Sequence, residues 1–400
     1  MSKAVLFLAD GMADESLDEL GGKTPLEYAN TPNMDKIASQ GASGTFLSLP
    51  KGFPTSSDVA NMSVLGYDLA KFYPGRGPLE AVSQGITLND NDIAWRCNLI
   101  NVKESLIEDY SAGHIDNAVS SQLMNYLQEK LGTEKISFFP GVSYRNLILL
   151  HGKEFSDKVD YAKPDSSHGE NVNNIGLKAL APEAEYTVKF LNEIISKAAE
   201  LLEKHPLNRG KGAPANYIWP WSPGKKPNFQ KFSEKYNGKK GAVISAVDVI
   251  FGIAKCAAMD TIKVEGATGF VDTNYEGKAA AALKSLEDHD FVYLHVEAPD
   301  ECSHIGDLKL KVKAIEDFDS RIVGPVMSKL DQKNTVFAIL PDHPVPIKLR
   351  KHTRVPVPVA VCGPHIKPDS IMSYSEKNAP AGSLGQMQGD QLIKLILDLK

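Results

Sequence analysis

Aspartate and histidine carry the first chemical signal in this 400-residue sequence, because three of its ten histidines stand close to acids that close short apolar runs. Ala4-Val-Leu-Phe-Leu-Ala9 runs into Asp10, Phe291-Val-Tyr-Leu-His-Val296 into Glu297 and Asp300, and Val336-Phe-Ala-Ile-Leu340 through Pro341 into Asp342-His343. Asp300 and His304 are four apart and would share one face of a helical turn; His352 follows His343 in the next stretch of chain. If the three runs are neighbours in space, three carboxylates and three imidazoles converge at one edge. Mixed oxygen and nitrogen donors without thiolate suit Zn²⁺ or Mn²⁺, and six ligands are enough for two ions. Each residue alone reads as an ordinary polar strand terminus. The set as a whole reads as a metal site.

A second constellation is Thr55-Ser56-Ser57-Asp58 after Gly52-Phe53-Pro54. Hydroxyls before an apolar stretch commonly cap a helix. The same position places a serine where the helix dipole and free N–H groups favour an anion. Beside two divalent cations such a serine could ionise and attack phosphorus. Charge bookkeeping supports the combination: two divalent ions against three carboxylates and one alkoxide leave a near-neutral site that can accept a phosphate dianion. Gly21-Gly22-Lys23-Thr24 ends like a phosphate-binding loop, but position 17 is Leu where that loop needs Gly.

Runs of five or six apolar residues are what strands covered on both faces look like. Helical spacing over 31–40, 243–258 and 309–330 alternates with them, which predicts a mostly parallel α/β sheet with helices on both faces. Ligands of such sheets bind at the carboxyl ends of the strands. The middle of the chain has another texture. Residues 87–112 and 136–151 read as strands, with a hairpin turning at Pro140-Gly141, and Pro182 to Lys204 reads as a long amphipathic helix. Pro206 to Gly241, rich in Pro, Gly, Lys and Asn, reads as a loop or return linker. The expected organisation is an α/β domain in two parts, 1–84 and 211–400, interrupted by a smaller α+β insertion over 85–210.

Composition excludes several classes. With 44 basic and 50 acidic side chains the net charge is −6 and no basic cluster stands out, which argues against a nucleic-acid partner. The first apolar run stops at Asp10, far short of the roughly 20 residues that a membrane span needs. The four cysteines, Cys97, Cys256, Cys302 and Cys362, form no CxxC pair and read as reduced thiols of a cytoplasmic protein.

Taken with their order, these residues resemble, over essentially the whole chain, the archaeal-type 2,3-bisphosphoglycerate-independent phosphoglycerate mutases of the alkaline phosphatase superfamily. The resemblance is carried by Ala9-Asp10-Gly11-Met12, Ser57-Asp58 with Gly66-Tyr67-Asp68, Gly75-Arg76-Gly77-Pro78-Leu79-Glu80-Ala81 and Val142-Ser143-Tyr144-Arg145-Asn146. It continues through Gly266-Ala-Thr-Gly269, His295-Val-Glu-Ala-Pro-Asp300-Glu301 with His304, Asp342-His343-Pro344 and His352-Thr353. It implies an alkaline phosphatase-like sheet and two divalent ions, Mn²⁺ first, with Zn²⁺, Mg²⁺ or Co²⁺ as alternatives. Asp10, Asp342 and His343 would hold one ion with the nucleophile Ser57; Asp300, His304 and His352 would hold the other. A small phosphorylated hydroxy acid would be the substrate: Ser57 takes the phosphoryl group of 3-phosphoglycerate, and the 2-hydroxyl of the bound glycerate recovers it. Arg76 and Arg145 are candidates for gripping phosphate and carboxylate, with structural ion pairs as the alternative. His114 is a candidate acid/base, with an ordinary surface imidazole as the alternative. The insertion would keep water from the phosphoserine.

Three departures stand out. Asn61 stands where relatives often place His, Phe251 where many place Lys, and Trp219-Pro220-Trp221 is an uncommon form. These features are similar to a subfamily proposed to be homoserine kinases, which keeps the metal site and changes the acceptor. A packing role is the simpler reading of the tryptophans.

Overall fold

Apolar runs without alternation become strands sealed on both faces: every residue of Phe291–Val296 and of Thr335–Leu340 is buried. The computed structural model describes residues 3–210 and 212–399. Its strands run in chain order β1 (Lys3–Ala9), β2 (Ala42–Leu47), β3 (Asp92–Lys103), β4 (Leu106–Asp109), β5 (Ile136–Val142), β6 (Arg145–His151), β7 (Val159–Asp160) and β8 (Lys178–Ala179). They continue with β9 (Tyr217–Lys225), β10 (Gly241–Ser245), β11 (Asp260–Lys263), β12 (Phe291–Val296), β13 (Thr335–Leu340), β14 (Val357–Cys362) and β15 (Gly385–Gln388). The chain forms two compact units, one from the residues up to Tyr73 with those from Phe229 onward, the other Pro74–Asn228.

The first unit is a mostly parallel α/β sheet flanked by helices, in the strand order β11-β10-β12-β1-β13-β14-β2-β15. β12, β1 and β13 are parallel neighbours at its centre, with Ala9 opposite Val296 and Leu8 opposite Leu340. Their carboxyl ends therefore lie side by side, and the next residues along each strand are Glu297, Asp10 and Pro341-Asp342. Phe7 and Phe337 stack across β1 and β13 with centroids 6.3 Å apart, worth about 0.5–1.5 kcal/mol beyond the area they bury. Met34, Ile37 and Ala38 of the helix Pro32–Ser39 join this core, as do Ala314, Ile315 and Phe318 of the helix Leu308–Phe318. No helix among the described residues is long and apolar enough to cross a membrane.

Buried polar groups tie the loops behind these strand ends together. Lys311, with a fully buried side chain, donates to Asp14 Oδ2 at 2.6 Å and to the Val345 carbonyl at 2.9 Å. Asp14 also accepts from the Ile347 N–H at 3.0 Å. Removing one member of such a pair costs about 3–5 kcal/mol, because the other charge is left buried. The Asp14 N–H and the Thr24 hydroxyl in turn donate to the two carboxylate oxygens of Glu376. Burial pushes Glu376 up to about 7, against an ordinary 4.5. A raised carboxyl holds its proton more tightly in the fold, so its contribution to stability is full below pH 4.5 and lost as pH rises through 7. Glu376→Gln is accordingly expected to flatten the decline in urea stability between pH 5 and pH 7, by up to about one proton's worth of slope. An unchanged slope would show that Glu376 titrates normally.

The second unit contains the sheet β4-β3-β6-β5, with β9 added on the other side of β3. The helices Asn117–Leu131 and Glu185–Lys204 pack Leu123, Leu127, Leu191 and Ala198 against Trp95, Phe138 and Ile148. The unit is wider than the 85–210 insertion expected from composition: the helix Arg76–Ser83 packs on β3 and β9, which draws Arg76 into this unit.

Three local expectations are corrected. The stretch 206–241 is not all loop, since β9 runs through Trp219-Pro220-Trp221 and pairs with β3. The tryptophans are buried, donating to the Ala162 carbonyl and to Asn98 Oδ1. The β5–β6 hairpin turns at Ser143-Tyr144, with Val142 opposite Arg145; Pro140-Gly141 falls where the register shifts. Residues 243–245 belong to β10, and the helix begins only at Asp248, where Phe251 is a buried apolar residue.

Candidate metal centre

Asp10 follows β1, and its backbone N–H continues the ladder to the Val296 carbonyl. The next residue has to be glycine. Gly11 sits at φ +61°, and a Cβ there would lie 2.6 Å from the Asp300 Cα. Asp300 and His304 lie on the helix Ala298–Ile305, four residues apart, with His304 Nε2 3.3 Å from Asp300 Oδ2. His352 comes from the loop before β14 and brings its Nε2 within 3.5 Å of Asp300 Oδ1 and 3.0 Å of His304 Nε2. The His304 Nδ1 faces the Arg350 carbonyl at 3.0 Å. A carbonyl only accepts, so that nitrogen carries the hydrogen; Nε2 is then the atom that donates to Asp300 when the ring is protonated and that the neutral ring would offer to a metal ion.

The other donor group surrounds His343, whose Nε2 lies 3.1 Å from Ser57 Oγ, 3.4 Å from Asp10 Oδ1 and 3.3 Å from Asp342 Oδ2. Asp10, Asp342 and His343 are wholly buried. The two groups adjoin: the His343 and His352 rings stack with centroids 3.8 Å apart. Within each triad the donor atoms lie within 4.8 Å of one another. Ser57 opens the helix Ser57–Val64 after Ser56 at the cap position, and Ser56 makes no side-chain capping bond, so ordinary capping does not account for this serine pair.

The donor set fits divalent cations on two grounds. Asp10 Oδ1, Asp300 Oδ1 and His343 Nδ1 are buried without a hydrogen-bond partner among the described residues, and a buried unpaired polar group costs about 1–3 kcal/mol. Burial and the neighbouring Asp342, Glu297 and Asp300 also push the Asp10 carboxyl well above its ordinary range, and burial raises Asp342. Burial would raise Asp300 too, but His304 and His352 hold it well below that range. His304 moves the opposite way. Burial disfavours its charge, yet the hydrogen bond and charge of Asp300 lift it to about 9. Carboxylates crowded this closely need protons or metal ions between them.

Glu297 and His295 received no role from the sequence, yet they extend the cluster. His295 Nε2 lies 3.0 Å from Asp10 Oδ2 and 3.8 Å from Glu297 Oε2. Burial, with Asp300 and Glu301 nearby, pushes Glu297 up to about 8. The sequence signals were the place of Glu297 at the end of an apolar run, the motif that holds both residues, and their spacing of two at the end of β12. Asn61, marked as a departure, donates to Asp342 Oδ2 at 2.9 Å and to the Ser57 carbonyl at 2.8 Å.

Arg76, Arg145 and His114 belong to the second unit. Arg76 Nε pairs with Glu80 at 2.8 Å, and Arg96, which sequence reasoning missed, shares that carboxylate at 3.3 Å. Burial lowers Arg96 to about 10 in spite of Glu80, and the positive charges of Arg76 and Arg145 add to the effect, so the three guanidiniums share one neighbourhood. Arg145 lies over the Tyr144 ring, 5.1 Å from its centroid, and the His114 ring is 6.3 Å from the same tyrosine. His114 also lines a cavity of about 310 Å³ with Asp116 and Asn208. Asp109 holds its turn by accepting from the Ser111 and Gly113 N–H groups.

Comparison with known proteins matches residues 2–399 to the metalloenzyme superfamily. The chain is 44% identical over 403 residues to the 2,3-bisphosphoglycerate-independent phosphoglycerate mutase of Methanosarcina acetivorans, covering 99% of both chains. It is 45% identical over 408 residues to a probable enzyme of the same name from Geobacter sulfurreducens, covering 99% of this chain and 100% of that one. Among solved structures it is similar to the PH0037 protein of Pyrococcus horikoshii, with TM-score 0.83 and 31% identity over 99% of this chain and 97% of that one. It is also similar to the cofactor-independent phosphoglycerate mutase of Thermoplasma acidophilum, with TM-score 0.66 and 26% identity over 100% and 99%.

Proposed function

The chain belongs to the metalloenzyme superfamily and, within it, to the 2,3-bisphosphoglycerate-independent phosphoglycerate mutases, and we infer that the Ser57 site is where it moves the phosphoryl group. It is an isomerase that interconverts 3-phosphoglycerate and 2-phosphoglycerate, and it uses divalent metal. The observation that supports the site assignment is the position of Ser57 Oγ, at the start of a helix and 3.1 Å from His343 Nε2 in the midst of the metal donors.

Two ions are proposed, one held by Asp10, Asp342, His343 and Ser57 and the other by Asp300, His304 and His352, with Mn²⁺ as the first candidate. When bound, they supply Lewis-acid stabilisation of the serine alkoxide and of the phosphoryl oxygens. Ser57 Oγ forms a bond to phosphorus as the bond from phosphorus to the 3-oxygen breaks, and that oxygen takes a proton. The 2-hydroxyl of glycerate then loses its proton and takes phosphorus from Ser57 Oγ. His114 is the proposed carrier of these protons. Arg76 and Arg145, with Arg96 beside them, are proposed to pair with the substrate's carboxylate and phosphate, since a guanidinium grips either in bidentate fashion. Four free cysteines fit a reducing compartment, and the cytoplasm is the proposed location.

Purified protein with Mn²⁺ is expected to convert 3-phosphoglycerate to 2-phosphoglycerate with neither 2,3-bisphosphoglycerate nor ATP. Inertness in that assay, together with ATP-dependent phosphorylation of homoserine, would overturn this reading. The relatives give the kinase alternative no support.

A further inference from the structure

β12 is sealed inside the sheet, yet two of its residues, Tyr293 and His295, are polar and wholly buried. Two apart, they share one face of the strand. Polar groups in such a place need partners, and each finds one that leads to the metal donors. The Tyr293 hydroxyl donates to Asn61 Oδ1. The Asn61 amide then spends its two hydrogens on Asp342 Oδ2 and on the Ser57 carbonyl. Both are acceptors, so the network fixes which way the amide faces.

His295 forms a second chain. Its Nδ1 lies 3.0 Å from Ser245 Oγ, which already accepts the Val247 N–H at 3.1 Å, so the serine hydroxyl is available to donate to Nδ1. His295 Nε2 then carries the hydrogen and donates to Asp10 Oδ2. Lys278 Nζ donates to the His295 carbonyl at 3.1 Å and secures the backbone of β12 at that point. Asp10 is left with Oδ1 turned toward His343, while the Gly11 and His343 N–H groups hold Asp342 Oδ1.

Resting on the reading of the Asp10–Asp342–His343 group as a metal site, we propose that Tyr293–Asn61 and Ser245–His295 are positioning relays that aim its carboxylates and hold the backbone of the nucleophile. Neither relay reaches His304 or His352 through any bond described above. The effect should therefore fall on one ion of the two.

The test is calorimetric or EPR titration of the whole protein with Mn²⁺, for wild type, Tyr293→Phe, His295→Leu and His295→Gln. Wild type is expected to take two ions. Tyr293→Phe and His295→Leu should weaken one of them about 10–100-fold and leave the other unchanged. His295→Gln, which keeps a donor, should recover most of the loss. In turnover the same variants should lower kcat and leave KM for 3-phosphoglycerate unchanged. Equal weakening of both ions, or of neither, overturns the relays while the metal reading stands. Loss of a third ion from His295→Leu overturns them by making His295 a ligand. A wild-type protein that binds no divalent ion overturns the metal reading and the relays together. Tyr293→Phe removes a single oxygen, so the comparison holds even if His295→Leu fails to fold.

Discussion

Ser57→Ala is expected to lower mutase turnover by about 10⁴–10⁶-fold, the range seen when a covalent nucleophile is removed. The reason lies in the bond that would no longer form: in the proposed mechanism Ser57 Oγ is the acceptor of the phosphoryl group on the protein. The fold should tolerate the change, because Ser57 does not cap its helix and its hydroxyl contacts His343 alone among the hydrogen bonds described. Rapid acid quench of wild type with labelled substrate should yield acid-stable phosphoserine at residue 57, and the variant should yield none. Full activity in Ser57→Ala would remove Ser57 from the mechanism. Ser56 would then be the next group to test, since its buried Oγ has no hydrogen-bond partner among the described residues.

Chelation is the second large effect. Excess EDTA is expected to reduce turnover by about 10³-fold or more, since metal stabilisation of the transition state is worth several kcal/mol, and added Mn²⁺ should restore it. The two proposed ions should not leave together. The His304 and His352 side chains are 34% and 15% exposed, whereas those of Asp10, Asp342 and His343 are fully buried. Dialysis against a weak chelator should therefore give a one-ion species first, with the remaining ion at the Asp10 group. His304→Ala should reproduce that species without a chelator. Unimpaired turnover in excess EDTA would remove metal from the mechanism, and simultaneous loss of both ions would refute the ranking by exposure.

Much of this protein is legible in the chain because its central strands are unusually plain. The runs ending at Ala9, Val296 and Leu340 are largely apolar without alternation, which a sheet covered on both faces accommodates. An acid within a few residues of the end of such a run is costly to bury unless something compensates it. That cost made Asp10, Asp300 and Asp342 visible before any coordinates. Elements with mixed signals were read less well. Trp219-Pro220-Trp221 looks like linker chemistry, yet it forms a strand because β3 offers it a partner. Pro140-Gly141 looks like a turn, yet the left-handed Ser143 turns the hairpin while its N–H donates to Asn117.

The sequence alone determined which kinds of atom could bind metal and attack phosphorus, because residue type sets donor chemistry and short spacing sets helical faces. Strand order decided the rest. Asp10, Glu297 and Asp342 are far apart in the chain, and the arrangement β12-β1-β13 sets the strand ends they follow side by side. His295 could not be recognised as a donor to Asp10 until β12 was found beside β1 with Leu8 opposite His295. Strand neighbours and register follow from burying many side chains at once, a non-local balance that no short stretch of sequence contains.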